Sequence, residues 1–121
     1  MDIDFAERFT AEWLDAWNSH DLERILSHFT DSVVFTSPVA IKVLNESDGT
    51  LRGKAALRHY WSVGLERNPQ LHFELASIYL GVDTLVINYR NQLGALVNEV
   101  LTFEGSLVRV GHGTYEVAPT T

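Results

Sequence analysis

The chain has 121 residues, the length of one ordinary domain, and its 45% hydrophobic and 11% aromatic content is that of a folded globular protein. Sixteen acidic against nine basic residues leave a net charge of −7, which argues against nucleic acid and anionic membranes as partners. There is no cysteine for disulfides, thiolate chemistry or zinc, and no long apolar run or basic, apolar leader, so a soluble cytoplasmic protein is the expectation.

Residues 4–17 are predicted as a helix, because Phe5, Phe9, Trp13 and Trp17 recur every four residues and form one apolar stripe. Asn18 to Asp21 interrupt it. Asp21 or Ser19 can then N-cap a second, short helix reaching Phe29, with Leu22, Ile25 and Leu26 inward. Val33 to Thr36 form a β-prone run halted by Pro38, and a loop is expected beyond it, most turn-like over residues 45–49. A third helix is predicted over residues 55–67, ended by Pro69. Strands follow over residues 71–80, 84–91, 95–103 and 106–117, punctuated by Gly81, Gly94 and Gly105. Helices followed by an antiparallel meander specify a single α+β domain over residues 1–121, with helices on one face of a curved sheet.

Glu99 breaks this pattern. Alternation places it with Ala95, Val97, Leu101 and Phe103 on the more apolar face of its strand, where it is the sole ionisable group. An unpartnered charge in an apolar interior is costly, so such a carboxyl either protonates or finds a partner. Two readings stand side by side. In one, Glu99 is a pocket acid. In the other, it is an idle carboxyl hydrogen-bonded to Tyr89 or a helix side chain.

Turn chemistry sets an expected register. A three-residue loop ending at Gly94 pairs Asn91 with Ala95, Tyr89 with Val97 and Ile87 with Glu99. A two-residue Glu104-Gly105 turn would put Glu99 opposite Val110 and Val97 opposite His112. Tyr89, Asn91, Glu99 and His112 would then share the inner face, with His112 diagonal to Glu99 at roughly 7–8 Å. His112, between two glycines, would serve as base, and Glu99 as acid or oxyanion donor. Tyr89 and Asn91 would position a substrate oxygen, while Trp13, Trp17 and Trp61 would wall a flat apolar ligand. No histidine spacing suits a metal, and proton movement alone requires no cofactor.

Three phrases in order, Trp17-Asn18-Ser19-His20-Asp21-Leu22, Phe29-Thr30-Asp31-Ser32-Val33-Val34-Phe35 and Leu51-Arg52-Gly53-Lys54-Ala55-Ala56-Leu57, resemble the nuclear transport factor 2-like, or SnoaL-like, superfamily. The resemblance spans nearly the whole chain. It implies a cone-shaped α+β fold, a pocket between helices and sheet, and a homodimer through the outer sheet face. Ketosteroid isomerase, one relative, uses an Asp base facing a Tyr and a protonated Asp. By that resemblance Glu99 falls at the protonated acid, Trp13 at the Tyr and Ser37 at the base. An indole has no transferable proton and a lone Ser hydroxyl is no general base, so steroid isomerisation by that route is disfavoured. The expectation is a cofactor-free isomerase, dehydratase or cyclase acting on a small apolar carbonyl or hydroxy compound. The alternative is a non-catalytic binding or dimerisation module.

Overall fold

A computed structural model describes residues 1–45 and 47–117. Helix α1 spans Ile3–Asn18, α2 Leu22–Leu26, α3 Pro38–Val43 and α4 Lys54–Arg67. The strands are β1 Phe29–Thr36, β2 Thr50–Arg52, β3 Glu74–Leu80, β4 Thr84–Arg90, β5 Leu96–Glu104 and β6 Leu107–Tyr115. They form one sheet in the order β2-β1-β6-β5-β4-β3, antiparallel throughout except for the parallel β1/β6 pair. The predicted α+β class holds: helices cover one face of a mostly antiparallel sheet. No helix among the described residues is long and apolar enough to cross a membrane.

Local chemistry explains the helix starts. Asp2 accepts a hydrogen bond from the Phe5 N–H at 2.8 Å, and Asp21 accepts from Arg24 N–H at 3.2 Å, each satisfying a donor in a first turn. The stripe on α1 is buried as expected, at Phe9, Trp13 and Trp17, while Phe5 packs at its edge. Trp13 is 2% exposed and sits against Trp17, Phe73 and Tyr89, joining α1 to the sheet. Removing such a ring from water is worth about 2–3 kcal/mol.

The segment after Thr36 is more ordered than expected. Ser37 caps α3 by accepting from Val39 N–H at 3.2 Å, and Pro38 occupies the first turn, where its missing N–H costs nothing. Pro38 therefore starts a helix as well as ending a strand. Strand β2 then returns along β1, so two elements stand in the expected loop, of which residue 46 lies outside the described residues. Strand β1 also begins at Phe29, earlier than the β-prone run, and takes over the end of the predicted second helix.

The β4/β5 register is the one the turn predicts: Tyr89 opposes Val97 and Ile87 opposes Glu99. The β5/β6 register is not. The turn residues are Gly105 and Ser106, so Glu104 pairs with Leu107 and Phe103 with Val108. That slip moves each partner by two and preserves facing. A bulge between Thr102 and Phe103 then leaves Arg109 unpaired and brings Val110 opposite Thr102. One extra residue reverses every β6 side chain beyond it. Glu99 thus opposes Gly113, and His112 opposes Val100.

Candidate active site

The helix-covered face of the sheet and α4 enclose a cavity of about 200 Å³. Glu99 stands on its floor, 8% exposed, in the middle of β5. Its Oε1 accepts a hydrogen bond from the Tyr89 phenol at 2.9 Å, from the neighbouring strand. No other hydrogen bond to this carboxyl occurs among the described residues. Burial pushes its pKa up from 4.5 to about 7, and the Tyr89 hydrogen bond opposes that rise. At neutral pH both protonation states are therefore populated.

Hydroxyl groups surround this acid. Tyr60, from α4, donates to Ser37 Oγ at 3.3 Å, and Tyr115, from β6, reaches the same cavity. Burial raises the pKa of both phenols, and the Glu99 charge raises them further, while the Ser37 hydroxyl pulls the other way. Tyr89 is raised well above 10 by burial first and the Glu99 charge second. All three phenols consequently keep their protons and act as donors or neutral acceptors.

Space for this cluster comes from two glycines that the bulge turns inward. A Cβ on Gly111 would lie 2.7 Å from the Phe35 ring, so the ring occupies the place a side chain would take. A Cβ on Gly113 would lie 3.7 Å from Glu99 Oε1 and 3.5 Å from Ser37 Oγ. The absence of a side chain there leaves room between the carboxyl and the hydroxyl.

Of the residues singled out from sequence, Glu99, Tyr89, Ser37, Asn91, Trp17 and Trp61 all line the cavity. Two do not. Trp13 lies behind the wall, packed on the Phe73 and Tyr89 rings that do line it. His112 is turned to the outer face by the β6 bulge, where its Nδ1 lies 2.6 Å from Thr36 Oγ1. The expected pairing of His112 with Glu99 across the inner face is thereby corrected. Asn91 carries a structural duty as well, since its Oδ1 accepts from the Leu93 and Ala95 N–H groups at 3.0 Å each and fixes the hairpin turn at the mouth. Tyr60, which the sequence reads as core or pocket wall, and Tyr115, which it does not single out, are further polar members of the site. For Tyr115 the sequence offered no signal, because the regular register turns it outward and only the β6 bulge brings Gly113 opposite Glu99 and Tyr115 inward.

The profile of the SnoaL-like domain family matches residues 10–114, and the chain belongs to that family. A SnoaL-like protein of unknown function from Burkholderia thailandensis is similar at 38% identity and TM-score 0.90, over 97% of this chain and 99% of that one. A cystatin-like-fold protein of unknown function from Methylobium petroleophilum shares 16% identity at TM-score 0.76, over 99% of this chain and 81% of that one. A proposed polyketide cyclase from Sinorhizobium meliloti shares 10% identity at TM-score 0.70, covering 85% and 90% of the two chains. The last two likenesses concern the fold, which is the cone-shaped α+β architecture. No curated protein is significantly similar to the chain.

Proposed function

We propose that the cavity binds a small, flat, largely apolar carbonyl or hydroxy compound and moves a proton on it, as an isomerase or dehydratase does. With His112 facing away, Glu99 is the one group among the described lining residues that can both take and return a proton near neutrality. The carboxylate removes a proton from the carbon beside a carbonyl, and the C–H electron pair passes into an enolate. The Tyr115 phenol, and the Tyr60 phenol once its proton turns away from Ser37 Oγ, donate to the developing oxyanion. Glu99 then returns the proton to the same carbon or, where a C=C bond conjugates the enolate, to the far end of that dienolate, so that the double bond shifts and atoms and charge balance without a cofactor. Trp17 and Trp61 serve as wall, with Ser37 beside the polar end.

The observation that carries this reading is a carboxyl on a cavity floor whose pKa is pushed to about 7. Incubation with 2-tetralone in heavy water tests it by NMR. The wild type is expected to speed deuterium uptake beside the carbonyl above the buffer rate, and Glu99→Gln is expected not to. No acceleration by the wild type would refute proton transfer and leave the binding-module reading. That second reading draws on the Tyr89 hydrogen bond, which gives Glu99 a partner within the protein itself.

A homodimer through the outer sheet face belongs to the same proposal. Val86, Val100 and Val110 are half-buried there and Tyr79 is 60% exposed, an apolar content fit for a second copy. Sedimentation equilibrium should give twice the chain mass; a monomer at micromolar concentration would exclude it.

A further inference from the structure

We infer that this cavity is also a binding site for organic ammonium ions, an aryl- or alkyl-amine whose charged nitrogen meets Glu99 among aromatic rings. The inference rests on what lines the space rather than on the proton-transfer reading. Trp17, Phe35, Trp61 and Phe73 supply rings, and Tyr60, Tyr89 and Tyr115 supply three more. Among the described lining residues there is no Lys, Arg or His, and Glu99 is the sole carboxyl. Aromatic faces attract a cation through their quadrupole, and most strongly where water is excluded. An anion would meet the same rings and one acid, with no positive partner. It is turned away.

Two further features act in the same direction. The last turn of α4 lines the mouth through Gly64 and Leu65, placing the negative end of a 14-residue helix there. Arg67, the basic residue of that turn, opposes them: it is exposed, and its guanidinium donates at 3.2 Å to the carbonyl of Val43, a residue that lines the cavity. The chain as a whole carries −7, which draws cations toward it.

Ionised Glu99 is the ammonium partner, so affinity should rise with pH as the carboxyl, with a pKa near 7, loses its proton. The titratable groups facing it are the Tyr60, Tyr89 and Tyr115 phenols, which stay neutral over that range. Conversely, a bound ammonium should lower the Glu99 pKa.

Three probes with the same ring system separate charge from shape: 1-naphthylmethylamine, 1-naphthylmethanol and 1-naphthoate, titrated by calorimetry at pH 5.5 and 8. At pH 8 the wild type should bind the ammonium at least about tenfold tighter than the alcohol, and the carboxylate more weakly than either. At pH 5.5, and in Glu99→Gln at both pH values, the ammonium advantage should disappear. The pH comparison on unaltered protein keeps the test valid should the variant fold poorly. Equal affinity of ammonium and alcohol at pH 8, preference for the carboxylate, a preference that survives Glu99→Gln, or no binding by any probe would each overturn the inference. The 2-tetralone exchange experiment is independent of all these outcomes.

Discussion

Replacing Glu99 by Gln should change how stability depends on pH, and the size follows from the site. In the unfolded chain the carboxyl titrates at its ordinary value near 4.5, whereas in the folded protein burial holds it near 7. The folded state therefore binds the proton more tightly. Below pH 4.5 both states are protonated and the group's stabilisation is fully present. It is lost as pH rises through 7, because deprotonation leaves a charge in a poorly hydrated cavity. At 1.36 kcal/mol per pH unit, the gap from 4.5 to about 7 corresponds to about 3 kcal/mol. Glutamine keeps an acceptor for the Tyr89 phenol but has nothing to ionise. Relative to wild type, Glu99→Gln should thus gain about 3 kcal/mol between pH 4 and pH 8.5. Urea denaturation at a series of pH values measures this difference, and contributions from all other titrating groups cancel in it. Parallel stability curves for the two proteins would refute the reasoning, since they would mean that Glu99 titrates alike in both states.

Two further expectations concern its neighbours. Tyr89→Phe removes the hydrogen bond that holds the Glu99 pKa down, so the carboxyl titration followed by carbon-13 NMR should move above 7; a fall or no change would contradict the assigned partner. Gly111→Ala should cost about 1–3 kcal/mol, because its methyl would lie 2.7 Å from the Phe35 ring, and trimming that ring in Phe35→Leu/Gly111→Ala should recover part of the loss in urea melts.

Much of the architecture was legible from short-range pattern. The four-residue recurrence of Phe5, Phe9, Trp13 and Trp17 defined α1 and its buried stripe, since helix periodicity and burial act together there. The loop ending at Gly94, whose φ is +80°, fixed the β4/β5 register and with it the Tyr89–Glu99 side of the site. Elements α3 and β2 were missed because each is short. Pro38–Val43 is too brief for a period to show, and the Ser37-Pro38 start of α3 reads equally as the end of a strand.

The fold class and the burial of one acid at mid-strand β5 were set by the chain's own alternation, which works because a strand exposes two faces in strict turn. What occupies the inner face beside that acid was decided by tertiary structure. Gly111 and Gly113 have no side chains to reveal their facing, while Val108 and Val110 alternate as though the strand were regular. A single bulge at Arg109, accommodated only within the paired sheet, therefore exchanged His112 for Tyr115 at the site.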